Sequence, residues 1–354
     1  MANIQKYFEQ FDANIRLKRF DENQMLREKR DAIHHRLLEK FASLRRQGED
    51  IPSFQTFNQG SYQMGTGIQP AEGGEYDIDV GLRFNCDQTQ YPNPVSLKQV
   101  VAEALEGHTS IPTRIRRSCV TVYYKKGGEQ AYHVDLAVYV HDQMNSSRLL
   151  IAKGEHGSGL KERRWEESSP QELCEWVENR FSDSDDEVQF LRVIRALKRW
   201  KTEKFKMDGQ NAPSGIGLTV AAGQWFVPSI KRPFSGPVAF DDRTAMRAFV
   251  DRMVQAFHVV DSKEDGSPLY RLVVRVPVVP HGDIFERMTP GQMTTFRDRL
   301  IQLRTQLDDV ESELDPRDAC LLMREMFGEA FPVPDKSKTG VVHGIATTTS
   351  GTSA

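Results

Sequence analysis

Two aspartates separated by one residue, Asp77 and Asp79, form the closest carboxylate pair with a chemical rationale in this sequence. They lie in the run YDIDVGLRF, where Ile78, Val80 and Leu82 alternate with other residues, and such alternation predicts a strand with one polar face. Residues two apart on a strand point to the same side, so both carboxylates can bind one cation. Without a cation, the two charges would repel each other.

A third carboxylate, Asp135, lies in the apolar run AYHVDLAVYV. We expect a neighbouring antiparallel strand to carry it to the same patch. Three carboxylates and the phosphates of a substrate are ligands that suit Mg²⁺ or Mn²⁺. An isolated Asp-x-Asp triplet is more often a solvated strand face, so the metal interpretation depends on the surrounding sequence.

The run QGSYQMGTG precedes the aspartates. Gly60 and Ser61 can offer backbone N–H groups and a hydroxyl to a phosphate, while Gly65 and Gly67 allow the backbone to approach closely. A Gly-Ser pair alone has almost no specificity. Followed about 16 residues later by an Asp-x-Asp strand, it becomes a strong combination.

This combination resembles the nucleotidyltransferase superfamily of the polymerase-β fold, which has a Gly-Ser loop, a strand with two acidic residues and a third acidic residue on a later strand. More narrowly, QGSYQMGTGIQP with EYDIDVGLRF is similar to the bacterial CD-NTases of anti-phage signalling, including purine-using clades such as clade G. The resemblance implies two Mg²⁺ or Mn²⁺ ions per active site, held by catalytic Asp77, Asp79 and Asp135. It also implies nucleotide contacts from Gln59, Gly60 and Ser61.

The second half of the chain extends the resemblance. LRVIRALKRWK is similar to the family's spine helix, whose lysine contacts the triphosphate, here Lys198. An ordinary amphipathic helix with a solvated basic face is an equally good interpretation of that segment. In NAPSGIGLTVAAGQWF the resemblance assigns a phosphate contact to Ser214, although Gly215, Ile216 and Gly217 replace the expected aromatic-rich pattern.

The pattern of elements predicts an α+β fold, and the resemblance implies a polymerase-β-like core with a mixed β-sheet and an oligoadenylate-synthase-like helical C-terminal domain. We expect the core with an N-terminal helix over 1–170, the helical domain over 171–334 and a flexible tail over 335–354. NSSRLLIAKGEHGSG is expected to begin a polar loop, and LYRLVVRVPVVP is a single β-rich run within the helical half.

Composition sets outer limits on function. The chain has 354 residues, a formal net charge of -3 and a pI near 6.3, which argue against a protein that coats nucleic acid through bulk charge. Four scattered cysteines form no CxxC pair, so no zinc site or disulfide framework is indicated. No run of about 18 apolar residues occurs, and we expect a cytoplasmic protein without a membrane partner.

The resemblance implies a cyclic dinucleotide synthase that uses nucleoside triphosphates, with a preference for purines, and releases pyrophosphate. Its product would act on a cyclic-nucleotide-activated effector, and an E1–E2-type conjugating enzyme is an implied partner of the tail TTTSGTSA. Nucleic acid is not an obligatory partner. Two alternatives stay open: a template-independent synthase of linear oligonucleotides, and a catalytically dead nucleotide-binding module.

Overall fold

The computed structural model describes residues 2–17, 24–70, 76–126, 129–205 and 212–336, and it has the predicted α+β architecture. In this part of the chain the helices are α1 (Gln5–Ile15), α2 (Gln24–Arg46), α3 (Gly60–Gln63), α4 (Pro94–Ala104), α5 (Pro170–Glu178), α6 (Ser184–Lys204), α7 (Gly215–Trp225), α8 (Asp242–Ala256), α9 (Pro290–Ser312) and α10 (Pro316–Phe327). The strands are β1 (Phe54–Asn58), β2 (Tyr76–Asp87), β3 (Arg114–Ile115), β4 (Val120–Lys126), β5 (Glu129–Asp142), β6 (Asn145–Ala152), β7 (Trp165–Glu167), β8 (Ile230–Lys231), β9 (Ala239–Phe240), β10 (His258–Ser262) and β11 (Pro268–Arg271).

A seven-stranded mixed sheet forms the centre of the N-terminal half. Its main order is β1-β2-β5-β4-β3, and β6 and β7 extend it beside β5. Strands β2 and β5 run parallel, so the expectation that an antiparallel strand carries Asp135 is wrong. The direction follows from the connection: α4 and the β3–β4 pair intervene, and a long crossover of this kind allows a strand to return in the same sense.

Two other expectations about strands are also corrected. Residues 145–152, expected to begin a polar loop, form β6, because Ile151 pairs with Tyr139 and is buried against it. The β-rich run near 269–280 contributes only β11, which pairs with β10 as a small separate hairpin.

The described interior has two large hydrophobic clusters and a small third one around Ala137, Tyr139 and Ile151. One large cluster lies between the sheet and helices α2 and α4, and the other joins α5 to α10. Helix α1 packs with the second cluster, where Phe8 stacks edge-on against Phe331 at 5.4 Å and Phe11 against Phe327 at 5.5 Å. The first helix therefore packs on the helical half, and the boundaries at 170 and 334 stay predictions.

Helix α6 runs through the middle of the helical half. Asp183 caps its first turn by accepting a hydrogen bond from the Asp185 N–H at 2.9 Å, and acidic residues in that turn favour the positive end of the helix dipole. Most side chains between Gln189 and Trp200 are buried, because the helix contacts α1, α7, α8 and α10. This position lets α6 present side chains to the edge of the sheet.

Three further findings bear on the expectations from composition and from the C-terminal sequence. Among the described residues, none of the helices has the length and hydropathy needed to cross a bilayer. All four cysteines are free thiols. Residues 337–354, which carry nearly all of the predicted tail, lie outside the described residues.

Candidate active site

The parallel pairing of β2 and β5 brings two of the predicted aspartates side by side. Asp79 pairs in register with Asp135, and Asp77 pairs with His133 two residues earlier along the strands. Neighbouring strands lie about 4.8 Å apart, so Asp79 and Asp135 are adjacent on one surface of the sheet. Both are partly exposed. Asp77 has the predicted strand position, and its side chain lies outside the described residues.

Strand β4 supports Asp135 from the other side. Thr121 pairs with Asp135 in register, is buried, and donates a hydrogen bond of 2.6 Å from Oγ1 to Asp135 Oδ1. The sulfur of Cys119 lies 3.6 Å from the same hydroxyl. Burial, followed by the negative charge of Asp135, raises the pKa of the Cys119 thiol to about 12. The thiol is therefore neutral at physiological pH.

Gly60 lies directly against Asp79. Its φ of +70° is a conformation that favours glycine, and a Cβ built there would fall within 2.7 Å of Asp79 Cγ. Gly60 and Ser61 begin α3, a single helical turn. Both the backbone conformation and the space at this position therefore require glycine, which brings the Gly-Ser pair into contact with the aspartate patch.

Tyr139 positions Gln59, the residue that precedes the Gly60–Ser61 pair. It follows Asp135 by four residues on β5, so it shares the same face, and its buried hydroxyl donates a hydrogen bond of 2.9 Å to Gln59 Oε1. Burial is the main cause of a raised pKa for Tyr139, which keeps the hydroxyl protonated as a donor. Sequence reasoning missed Tyr139, although the alternation along AYHVDLAVYV places it on the Asp135 face.

Four basic residues of α6 are buried, so the alternative interpretation of an ordinary helix with a solvated basic face is wrong. They are Arg192, Arg195, Lys198 and Arg199. Lys198 Nζ donates to Thr66 O at 3.0 Å and to Thr66 Oγ1 at 2.9 Å. The lysine of the predicted spine helix therefore reaches the glycine-containing loop that follows Ser61.

Two arginines of α6 hold the same loop. Arg195 donates to Gly65 O at 2.6 Å and makes a two-pronged ion pair with Asp12 of α1, at 2.6 and 2.9 Å. Arg199 donates to Gln69 O at 2.7 Å. Buried, charge-assisted bonds of this kind fix backbone geometry. Hydrogen bonds from α6 thus hold the loop 65–69 against the helical half, and the Arg195–Asp12 ion pair links α1 to the same arginine.

Ser214 begins α7 close to Lys198. Its Oγ accepts a hydrogen bond of 3.1 Å from the Gly217 N–H as the N-cap of the helix. A Cβ on Gly215 would lie 3.5 Å from Lys198 Cε, and one on Gly217 would meet Phe285 Cζ at 2.5 Å. Packing against Phe285 therefore requires glycine at 217, whereas a side chain at 215 would make only an ordinary contact with Lys198. The phosphate contact of Ser214 stays a prediction.

A cavity of about 510 Å³, a size typical of small-molecule sites, lies between the Gly-Ser turn, Asp79 and helix α6. Asp135 and Ser214 are not among its lining residues. Its polar wall consists of Gln59, Gly60, Ser61, Thr66, Asp79, Tyr139, Lys198 and Lys201. Its apolar wall includes Leu17, Met64, Ile68, Leu173 and Ile216. Such a cavity can bind phosphate groups on one side and a flat ring on the other.

Among the described side chains, no group of three or more His, Cys, Asp or Glu residues is arranged to hold a metal ion. Asp77, the third member of the predicted set, falls outside that search. Asp79 and Asp135 nevertheless offer adjacent hard oxygen donors, which fit a divalent cation of the Mg²⁺ or Mn²⁺ type. The three-aspartate metal site stays a prediction.

Comparison with known proteins agrees with this geometry. Residues 54–139 match the family model described as cyclic GMP-AMP synthase DncV-like, nucleotidyltransferase domain. The matched range includes all three predicted aspartates and the Gln59–Ser61 segment. Lys198 and Ser214 lie beyond this range, in the helical half.

Similar proteins extend the likeness beyond the DncV-like domain. A cyclic GMP-AMP synthase of Escherichia albertii is 23% identical over 173 residues, which cover 47% of this chain and 36% of that protein. The match thus spans about a third of the length of this curated relative. The GTP-bound form of Vibrio cholerae DncV superposes with a TM-score of 0.69 at 17% identity, over 93% of this chain and 96% of that chain.

A second solved structure, the CD-NTase CdnG of Bradyrhizobium diazoefficiens in complex with GTP, has a TM-score of 0.61 at 16% identity. It covers 92% of this chain and 96% of that chain. The predicted relationship to bacterial CD-NTases and the predicted fold class are confirmed. Membership of a particular clade stays a prediction.

Proposed function

We propose that the protein is a cyclic dinucleotide synthase, which joins nucleoside triphosphates through nucleotidyl transfer and releases pyrophosphate. The observation that carries this proposal is the placement of Asp79 and Asp135 side by side, with Asp79 against Gly60 in the cavity that also contains Lys198. The Asp79 carboxylate, the backbone of the Gly-Ser turn and the buried Lys198 line this cavity, and Asp135 lies beside Asp79 on the neighbouring strand. These are the groups that phosphoryl transfer requires.

Different residues would bind the triphosphate and activate the attacking hydroxyl. Ser61 and the N–H groups of α3 would bind phosphate oxygens, and Lys198 would exchange its bonds with Thr66 for a phosphate. Asp135 would accept the proton of the attacking hydroxyl. Holding both reactants in line accounts for much of the acceleration in reactions of this type.

Two divalent ions are the expected cofactors. Asp79 and Asp135 fit such ions through adjacent oxygens, and Asp77 is the expected third ligand. When bound, Mg²⁺ or Mn²⁺ would supply positive charge to the transferred phosphoryl group and to the leaving pyrophosphate. Asp77, Asp79 and Asp135 are therefore the proposed catalytic and metal-binding set.

ATP and GTP are the proposed substrates. Two of the similar solved structures, Vibrio cholerae DncV and Bradyrhizobium diazoefficiens CdnG, contain GTP. The apolar wall, with Leu17, Ile68 and Ile216, offers a surface on which a purine ring can pack. Gln59, Gly60, Ser61, Lys198 and Ser214 are the proposed nucleotide contacts.

The proposed biological role is anti-phage signalling in the cytoplasm, in which the cyclic product activates an effector. An E1–E2-type enzyme that conjugates the C-terminus is a further proposed partner, and the tail it would use lies outside the described residues. Removal of the last few residues should leave synthesis intact and abolish conjugates in cells. Conjugates that persist without those residues would contradict this partner.

Product analysis tests the proposal. Purified protein is incubated with α-labelled ATP and GTP and with Mg²⁺ or Mn²⁺, and the products are treated with phosphatase. A compact, phosphatase-resistant product supports the proposal, whereas a ladder of products indicates a synthase of linear oligonucleotides. No product with any base, metal or pH would contradict both kinds of enzyme and favour a nucleotide-binding module.

A further inference from the structure

A second group of cations lies beside the aspartate patch, at the junction of two strands. Strand β4 pairs with β5 up to Leu136, and β6 pairs with β5 from Tyr139 onwards. Because β2 occupies the opposite flank of β5, both β4 and β6 lie along the same flank. The start of β4 and the end of β6 therefore meet close to Asp135.

Hydrogen bonds hold this junction together. The Gly154 N–H donates to Arg117 O at 2.9 Å, and Lys153 Nζ donates to Ser118 Oγ at 3.1 Å. Beneath them, the fully buried Lys98 donates from Nζ to the carbonyl oxygens of Arg116, Arg117 and Gly154. The backbone at the junction is thus rigid, and it is built around a buried positive charge.

Two arginines flank Gly154. Arg117 accepts the Gly154 N–H bond through its carbonyl, and Arg163 packs so closely that a Cβ on Gly154 would lie 3.0 Å from Arg163 Cα and Cγ. Arg117 Nη1 and Arg163 Nε are both buried atoms without a hydrogen-bond partner among the described residues. Buried guanidinium nitrogens without partners are energetically costly. Both side chains are also partly exposed, so an anion can reach the rest of each guanidinium group and offset that cost.

The charges around the junction also favour an anion. Burial is the main cause of a lowered pKa at both Lys98 and Lys153, and the charge of Arg117 lowers both further. Glu155 and Glu166 act in the opposite direction, and Glu166 is already paired with Arg164 at 2.8 Å. Positive charge is therefore in excess at this point.

We infer that Arg117, Lys153 and Arg163 form an anion site for a phosphate or pyrophosphate group. Arginine forks match phosphate oxygens, and a third cation beside them adds charge. The site is distinct from the wall formed by Ser61 and Lys198, because Arg117 and Lys153 lie on the flank of β5 that β4 and β6 occupy and do not line that cavity.

The site lies close to the proposed chemistry. Arg117 precedes Thr121, the register partner of Asp135, by four residues, or about 13 Å of extended strand at most. The phosphate could thus belong to a second nucleotide whose hydroxyl lies at Asp135, an assignment that rests on the proposed function. It could equally come from a separate phosphate-bearing molecule, and the shared chemistry is a phosphate dianion.

Titration calorimetry of the full chain with inorganic phosphate and pyrophosphate tests the site without requiring activity. We expect the double variant R117Q/R163Q to weaken binding at this site at least about tenfold. R117K/R163K should retain most of the binding, because it keeps both charges. R148Q, at an exposed arginine of β6, is the matched control and should bind as the wild type does. Lys198→Met should also leave this site occupied, since it alters the other phosphate-binding wall.

Thermal stability separates binding from a structural role. Each of the two half-buried arginines has one buried nitrogen without a partner among the described residues. Their replacement should therefore leave the melting temperature of R117Q/R163Q unchanged or raise it by about 1 to 3 °C in the absence of phosphate. A lower melting temperature in R117Q/R163Q, or phosphate binding equal to that of the wild type, would overturn the inference. So would a wild-type protein that binds neither anion.

A non-hydrolysable nucleoside triphosphate distinguishes the two sources of the phosphate. Competition between the analogue and phosphate for the Arg117 site, with a raised KM in R117Q/R163Q, assigns the site to a second nucleotide. Simultaneous binding of phosphate and analogue assigns it to a separate molecule. Either result supports the site, and both can be read even if the chain makes no cyclic product.

Discussion

Thr121 and Asp135 face each other across β4 and β5, and the threonine hydroxyl donates a hydrogen bond of 2.6 Å to one carboxylate oxygen. The bond fixes the rotation of the Asp135 side chain and assigns one of its oxygens to Thr121. In metal sites, outer partners of this kind orient the ligands and tune their affinity for metal. Thr121 is thus a positioning residue for the proposed base.

Replacing Thr121 by valine, which keeps the shape and removes the hydroxyl, should lower kcat by about 10- to 100-fold and raise the Mg²⁺ concentration required for half-maximal activity. Thr121→Ser keeps the hydroxyl and should recover most of both. The measurement is the rate of product formation as a function of Mg²⁺ concentration. A Thr121→Val enzyme with unchanged metal dependence would mean that the hydroxyl has only a structural role.

Gly60→Ala should abolish most activity. The new methyl group would collide with Asp79, and a displacement of about 1 Å at a reacting group can cost about 100-fold in rate. Gly107→Ala is a matched control, because Gly107 has a similar φ of +68° and open space around it. Both variants should lose about 1 kcal/mol or more of stability from backbone strain, measured by urea unfolding. Only Gly60→Ala should lose catalysis, and equal activity of the two variants would exclude close packing against Asp79 as a requirement.

Tyr139→Phe removes the hydroxyl that positions Gln59. We expect a loss of about 1 kcal/mol in the free energy of unfolding and a raised KM for nucleoside triphosphate, because the Gly-Ser turn loses its anchor. Tyr132→Phe is the control, since Tyr132 is a buried tyrosine of the same strand that packs in the cluster with α2 and α4. Steady-state kinetics measure the difference. If the two variants have the same KM, the Gln59 bond does not position the nucleotide loop.

The stability of the sheet should depend on pH through Lys98. Burial lowers the pKa of Lys98 from 10.5 to about 8. Between about pH 8 and 10.5 the unfolded chain holds more protons at this lysine than the folded chain, so the free energy of unfolding contributed by Lys98 rises with pH across that window. Below about pH 8 both states are protonated, and the cost of burying the charge is fully present.

Comparison with Lys98→Met isolates this contribution. The variant leaves three carbonyl groups without their donor and should be less stable by about 1 to 3 kcal/mol or more at neutral pH. Urea unfolding at pH 7.5 and at pH 9.5 should show that the difference in free energy of unfolding between the wild type and the variant increases as pH rises. If this difference in the free energy of unfolding stays constant or decreases with pH, the pKa of Lys98 is not lowered in the folded protein.

The sequence predicted the strands that carry Asp79 and Asp135, because alternation of apolar residues has a clear period in both. It could not predict their parallel pairing, since the direction depends on how α4 and the β3–β4 pair return the chain. The Tyr139–Gln59 bond joins residues 80 positions apart, and no local pattern records such a contact. These contacts depend on sheet register.

The cations of α6 illustrate a different limit. Their spacing is that of an ordinary amphipathic helix, and a basic stripe normally faces water. Helix α6 is surrounded by other helices, so Arg195 and Lys198 turn towards backbone oxygens of the loop 65–69 and are buried there. Burial of a charged stripe is decided by tertiary packing, which periodicity alone does not reveal.

The account depends most on Asp79 and Asp135 as the centre of nucleotidyl transfer. The most direct measurement is incorporation of α-labelled nucleotide into phosphatase-resistant product by the wild type, Asp79→Asn and Asp135→Asn, with Mg²⁺ and with Mn²⁺. The account predicts product from the wild type and none above background from either variant, while both variants keep the wild-type melting transition. Product formed by a folded Asp79→Asn or Asp135→Asn protein at the wild-type rate would contradict it.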